Sequence, residues 1–152
     1  MTASRLFFLA VCFALLGTGA VWAHSGATGI VKERMDAMKA ISKAMRSLDA
    51  MAKGKTAFRK ATVKVASRTI KEHATTFDRL FPDTNHSRKS HVTEAAPAIW
   101  ADKPVFLALA QKMADAAKGL DAVSAHTQLP QHLRALGATC KGCHEKFRIK
   151  KN

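Results

Sequence analysis

The chain has 152 residues, with 25 Lys and Arg against 11 Asp and Glu, which gives a formal net charge of +14 at pH 7. This length is enough for one domain with a modest hydrophobic core. Tyr is absent, Ala and Lys are frequent, and runs of β-branched residues are missing. This composition argues against a strand-rich fold and for helices.

The N-terminal segment has the pattern of a secretory signal peptide. Arg5 precedes an apolar run over residues 6–16, and small residues at Val21 and Ala23 flank Trp22. This run is too short for a permanent membrane span. We therefore expect residues 1–23 to be cleaved after Ala23, leaving one domain over residues 24–152 in the periplasm. A lipoprotein interpretation of Cys12 stays open, although the valine before it is a poor match.

Two helical patterns follow. The first runs from Ile30 to Ala52 and ends at Gly54, with apolar residues at three- and four-residue steps. The second runs from Thr56 to Phe81 and is stopped by Pro82. Their apolar positions are Val31, Met38, Ile41, Met45, Leu48 and Ala52, and then Val63, Ala66, Ile70, Phe77 and Phe81. His73 falls near the second stripe, where a boundary or core histidine is more common than a ligand.

A long connection from Pro82 to Trp100 separates these helices from two more. Pro104 suits the first turn of a third helix and Pro130 that of a fourth. Their inward positions are Phe106, Ala110, Met113, Ala117, Leu120 and Val123, and then Leu133, Leu136, Cys140, His144 and Phe147. Four amphipathic helices with one long crossover predict an all-α fold, an antiparallel four-helix bundle.

The last predicted helix contains the C-x-x-C-H motif, at Cys140-Lys141-Gly142-Cys143-His144. In a helix, Cys140, Cys143 and His144 project to one side, since residues three and four apart share a face. Two thiols can then add to the vinyl groups of one haem while the imidazole meets its iron. The motif therefore predicts covalent attachment of a single haem c.

Two other interpretations of the cysteine pair remain open. A dithiol redox site prefers a helix N-terminus, where the helix dipole lowers the thiol pKa, but Cys140 and Cys143 lie well inside the last helix or near its C-terminal end. A structural zinc site needs four ligands, and the mature chain supplies these two cysteines and scattered histidines. A haem-free interaction protein is a further, weaker possibility.

The whole mature chain resembles the cytochrome c′ superfamily, in particular its low-spin cytochrome c-556 type. The resemblance is carried by residues 140–148, by Leu80-Phe81-Pro82, by Pro97-Ala98-Ile99-Trp100, and by Arg34-Met35-Asp36-Ala37-Met38-Lys39. It implies a four-helix-bundle cytochrome that transfers single electrons and has no enzymatic activity. High-spin members of the family leave one iron position open and bind NO or CO, which is the rival interpretation.

The resemblance also implies the iron ligands. It matches His144 to the fifth ligand, Met38 to the methionine of low-spin members, and Arg34 to an arginine near a haem propionate. Met35, one turn from Met38, is the credible competitor, and methionines in an amphipathic helix are more often core residues than ligands.

The basic charge is open to two interpretations in an exported haem protein. A cytoplasmic chain with this charge would suggest nucleic acid, whereas export favours an acidic redox partner or an anionic membrane surface. A solvated basic surface without a specific role is the alternative. The sequence leaves monomer and homodimer equally open.

Overall fold

A computed structural model describes residues 26–150 of the chain. The helices are α1 (Gly29–Ala52), α2 (Lys60–Thr75), α3 (Phe77–Leu80), α4 (Asn85–Lys89), α5 (Ala98–Ala101), α6 (Lys103–Lys118) and α7 (Leu129–Phe147), with 3₁₀ turns at Gly119–Ala122 and His126–Gln128. The predicted signal peptide, its cleavage after Ala23 and Cys12 lie outside the described residues. Within residues 26–150, no helix has the length and apolarity that a membrane span requires.

The four long helices α1, α2, α6 and α7 form an antiparallel bundle. Each packs on the one before it, and α7 closes the ring against α1. Consecutive helices run in opposite directions, because the start of one lies beside the end of the other. Arg79, beyond α2, pairs with Glu33 at the start of α1, and Phe106 at the start of α6 stacks on Phe77, just beyond the end of α2. Phe106 also meets Phe147 at the end of α7. The predicted four-helix bundle is confirmed.

The first helix, α1, forms as predicted, within one residue at its start. Its buried side chains recur at three- and four-residue steps from Val31 to Met51, as an amphipathic helix requires. Gly54 then adopts a positive φ of 67°, a backbone conformation that glycine takes without a steric penalty. The backbone N–H of Gly54 donates to the carbonyl oxygen of Met51, which ends the helix.

The second predicted helix was wrong in its bounds and continuity. It begins at Lys60 instead of Thr56, and it is interrupted at Thr76, after which Phe77–Leu80 forms the separate short helix α3. The Thr76 hydroxyl donates to the carbonyl oxygen of His73 at 2.8 Å, and such local bonds compete with a continuous helix. The five predicted inward residues are all buried nonetheless, and His73 is a half-buried boundary residue.

The crossover, residues 82–102, was predicted as an irregular connection but contains α4 and α5. Thr84 caps α4, because its hydroxyl accepts a hydrogen bond from the backbone N–H of Ser87. The indole N–H of Trp100 donates to the carbonyl oxygen of Pro82 at 3.0 Å, which closes the crossover on itself. The crossover is therefore a folded segment that covers one end of the bundle.

The prolines predicted to open the last two long helices occupy first-turn positions in α6 and α7. The apolar stripe of the third predicted helix is buried throughout, although its last two residues, Leu120 and Val123, lie in and just after a 3₁₀ turn. In α7, Leu136 and Phe147 are buried, whereas His144 is exposed and so was wrongly predicted to face inward. At about 100° per residue, His144 lies about 80° from Leu136, at the edge of the buried stripe.

Candidate functional site

Cys140 and Cys143 lie side by side on the inner face of α7. Both are partly buried and pack against the hydrophobic core, and both thiols are free. Their three-residue spacing in a continuous helix places them one turn apart on the same face. The structure therefore brings two thiols to the boundary between core and surface.

The environment of the two thiols argues against a dithiol redox site. Burial raises the pKa of Cys140, and burial together with the charge of Cys140 raises the pKa of Cys143 to about 11. A redox-active pair needs at least one thiol whose pKa is lowered. Among residues 26–150, moreover, no three His, Cys, Asp or Glu side chains come together to hold a metal ion, which argues against the zinc interpretation there.

His144 follows Cys143 directly on α7 and lies on the exposed side of the helix. Partial burial of the ring, and next the positive charge of Arg148, lower its pKa, while Glu94 acts in the opposite direction. The lowered pKa favours the neutral imidazole, which has a free lone pair on one ring nitrogen. That is the form in which histidine binds a metal.

The C-terminal end of α7 is fastened to the crossover, just beyond the motif. The N–H of Ala96 donates to the carbonyl oxygen of Phe147 at 3.0 Å, and the N–H of Ile149 donates to that of Glu94 at 2.8 Å. Ala95 and Arg148 form an antiparallel bridge, and Arg148 pairs with Glu94 at 2.6 Å. These bonds fix the helix turn that carries Cys143 and His144 against the folded crossover.

Aromatic side chains fill the core at this end of the bundle. The Phe106 ring is in contact with three others, with centroids at 4.8 Å from Phe81, 5.3 Å from Phe147 and 5.8 Å from Phe77. Phe106 is fully buried, so this cluster joins α3, α6 and α7. We call this region, made of the start of α1, α3, the crossover and residues 140–149, the motif end.

The methionines of α1 differ in what they face. Met38 is partly buried and packs against the core. Met35 is also partly buried, but it is not among the described side chains that pack against the core. At about 100° per residue, Met38 is rotated by about 60° and Met35 by about 120° from the buried Ile41. Of the two candidates, Met38 is thus the one whose thioether is nearer the bundle interior.

Arg34 is buried, with 4 % of its surface exposed. Its guanidinium donates to the carbonyl oxygen of Ser87 at 2.8 Å and to the Ser87 hydroxyl at 3.3 Å, and its Cζ lies 4.7 Å from the centroid of the Phe81 ring. Burial lowers its pKa. Arg34 therefore joins α1 to α4 in the crossover, one helical turn before Met38.

Two members of this site were not predicted as such. Ser87 lies in the predicted connection between the second and third helices, yet it is fully buried and accepts hydrogen bonds from Arg34. Glu94 was not singled out, yet it holds Arg148 and faces His144. Thr84 is a residue type that often caps helices and could have indicated the start of α4. The contacts of Ser87 with Arg34 and of Glu94 with Arg148 join residues far apart in the sequence, so no local pattern indicated them.

The donor set at the motif end fits a covalently held haem. Two free, protonated thiols on one helix face suit addition to two vinyl groups, and a neutral imidazole and a thioether are ligands that low-spin iron accepts. Cys140, Cys143 and His144 come from α7, and Met38 comes from its bundle neighbour α1. Arg34 supplies a buried cation on the same helix as Met38.

Comparisons with known proteins agree on the family of this chain and on its fold. A family model described as "Cytochrome C'" matches residues 29–148. The chain is 37% identical to a cytochrome c-556 of Agrobacterium fabrum over 149 residues, 93% of each chain, and 37% identical over 128 residues to a cytochrome c′ of Rubrivivax gelatinosus, 79% of this chain and 94% of that one. The solved cytochrome c′ of Rhodopseudomonas palustris superposes with a TM-score of 0.75 at 30% identity, covering 83% of this chain and all of that one.

Proposed function

Because this chain belongs to the cytochrome c′ family, we propose that it is a one-electron carrier whose haem iron is held between His144 and Met38. Members of the family carry covalent haem c with its iron, and this group supplies an Fe(III)/Fe(II) couple when bound. Relatives of both kinds, cytochrome c-556 and cytochrome c′, are similar to the chain. The position of Met38, nearer the bundle interior than Met35, is the observation that favours the cytochrome c-556 type.

The residues of the chain have separate roles in this proposal. Cys140 and Cys143 would hold the haem through thioether bonds, each thiol S–H adding across one vinyl group. His144 and the thioether of Met38 would be the two protein ligands of its iron, and such His/Met ligation raises the reduction potential. With both ligands in place, the iron would be closed to small gases and to substrates. Arg34, one helical turn from Met38, would form an ion pair with a haem propionate.

Export and partners belong to the same proposal. The apolar run over residues 6–16 and the small residues before His24 support cleavage after Ala23 and a periplasmic protein. Removal of that segment takes only Arg5 from the charged residues, so a strongly basic mature chain remains. Its redox partners are accordingly acidic proteins, whose encounter with the chain is accelerated by opposite charge.

Substitution of Met38 tests the proposal. Met38→Ala should convert the iron to a high-spin form that binds CO in the ferrous state and has a lower reduction potential, because the sixth ligand is lost. Absorption spectra in both oxidation states, with and without CO, measure this directly. An intact mass equal to residues 24–152 plus one haem verifies attachment and processing in the same sample.

Met35→Ala is the matched control, because it removes a neighbouring thioether from the same helix. Its spectra should equal those of the unaltered protein. If Met35→Ala becomes high-spin and Met38→Ala does not, Met35 is the ligand. If the unaltered ferrous protein takes up CO freely and neither substitution matters, the chain is a gas-binding cytochrome c′.

A further inference from the structure

Positive charge is concentrated in one segment of the bundle. Residues 39–68, the second half of α1, the connecting loop and the first half of α2, contain nine Lys and Arg and a single acidic residue, Asp49, so they carry +8 of the +14 of the whole chain. Asp49 is itself paired with Lys53 at 2.8 Å. We call this segment the basic hairpin; eight of its cations have no acidic residue of the segment left to pair with.

The basic hairpin also contains a groove whose lining residues suit an anionic group. A groove of about 650 Å³ lies between α1 and α2 at their connected ends. Three cationic residues line it, Lys43, Arg46 and Arg59, together with the hydroxyl residues Ser47, Thr56 and Thr62 and a floor that includes Ala50 and Met51. Cations and hydroxyls around an apolar floor are the donors that a phosphate group needs.

An exposed apolar side chain accompanies these cations. Val65 lies on α2 next to Lys64 and three residues from Thr62 of the groove, and 52% of its surface is exposed. This is the largest value among the exposed large apolar residues of the described chain. Basic residues that surround an exposed apolar residue are typical of surfaces that contact lipid headgroups.

The basic hairpin is remote from the motif end. Met51 in the groove is thirteen residues beyond Met38, about 20 Å along α1. The positive charge of the whole chain attracts an acidic redox partner, but electron exchange requires contact at the motif end, so a partner that stayed on the hairpin would be too far from it. A second copy of the chain is disfavoured there, because two such surfaces repel each other.

From these observations we propose that the basic hairpin docks the protein on an anionic phospholipid bilayer, with phosphate headgroups in the groove and the motif end directed away. The chain would then be held at a membrane surface without a membrane-spanning helix. This inference does not depend on which residue is the sixth iron ligand. Each basic residue near such a surface increases partitioning about fivefold, and salt screens the effect.

Vesicle co-sedimentation of the haem-loaded protein tests the inference. At about 0.05 M salt, binding is expected to vesicles that contain phosphatidylglycerol and not to vesicles of phosphatidylcholine alone. The triple variant Lys43→Gln, Arg46→Gln, Arg59→Gln should bind the anionic vesicles at least tenfold more weakly. Circular dichroism verifies that the variant is as helical as the unaltered protein.

A second triple variant removes the same charge elsewhere. Lys89→Gln, Lys112→Gln, Lys150→Gln replaces exposed residues outside the basic hairpin and should weaken binding less than threefold. Equal losses in the two variants, or binding to neutral vesicles, would overturn the inference. It would also be overturned if the protein bound inorganic phosphate but no anionic vesicle, or if only an acidic protein bound the hairpin.

Discussion

The two ends of the bundle use charge in different ways. At the motif end, four basic side chains pair with acids on other elements: Arg79 with Glu33, Lys103 with Asp78, Lys146 with Asp102, and Arg148 with Glu94. Arg88 pairs with Asp83 within the crossover, and Lys32 with Asp36 and Lys141 with Glu145 pair within a helix. In the basic hairpin, the one acid pairs with a lysine one turn away on the same helix. Ion pairs thus join different elements at the motif end, whereas the described pairs of the basic hairpin, Lys53 with Asp49 and Lys39 with Asp36, stay within α1 and its C-cap.

This difference indicates which end of the bundle contributes more to the free energy of unfolding. Surface ion pairs contribute little individually, but those of the motif end surround a buried aromatic cluster and the buried Arg34. Free cations in the basic hairpin repel one another and lower the stability of the compact state. We expect substitutions at the two ends to differ in size, and in one case in sign.

The largest effect is expected at the aromatic cluster. Phe106→Ala removes the ring that contacts three others and should lower the free energy of unfolding by about 3–5 kcal/mol, measured by denaturant unfolding. Val65→Ala in the basic hairpin is the control, because Val65 is exposed; its effect should stay within about 0.5 kcal/mol. Comparable losses would mean that the two ends are equally packed.

A smaller loss is expected at Arg34. Arg34→Met keeps the bulk of the side chain but leaves the carbonyl oxygen of Ser87 without its buried donor, at a cost of about 1–3 kcal/mol in unfolding free energy. Arg46→Met is the matched control, because the exposed Arg46 bonds only the Ser42 hydroxyl among described residues; it should change stability by less than about 0.5 kcal/mol. If Arg34→Met left the free energy of unfolding unchanged, the bond to Ser87 would not contribute to stability.

The smallest effect is a gain in the basic hairpin. Arg59 is the N-cap of α2, with the extended backbone that a cap requires and no capping bond from its side chain. Arg59→Asp supplies an acceptor and a negative charge there and should raise the free energy of unfolding by about 1 kcal/mol, seen as a higher Tm.

Arg68→Asp makes the same charge change in the middle of α2, where no cap is possible. It should bring no gain, since Asp is a weak helix former. Equal gains from the two substitutions would assign the effect to relief of charge repulsion instead of capping. Arg59→Asp should also weaken vesicle binding, so stability and docking would change in opposite directions.

Local patterns accounted for the long helices. The apolar steps of α1 and the first-turn positions of Pro104 and Pro130 depend on neighbouring residues, so the sequence was enough to predict them. Helices of four or five residues, such as α4 and α5, are too short for any periodicity. They are held by tertiary bonds such as that from Trp100 to Pro82.

The site was predictable in part for the same reason. Cys140, Cys143 and His144 form a local motif, and the family resemblance indicated Met38 and Arg34. The bond from Arg34 to Ser87 joins residues 53 apart, and it exists because the crossover folds back over α1. The exposure of His144 follows from helix geometry, which carries every fourth residue about 40° around the helix axis.

The bridge between Ala95 and Arg148 also affects how the molecule opens. Among the described residues, it is an isolated bridge and not part of a longer ladder of strand pairs. Few backbone bonds hold the bridge, so it can separate while the four long helices stay intact. Hydrogen exchange at the amides of Ala96 and Ile149 would then be faster than at Leu136, and it would record a local opening that exposes the last turn of α7.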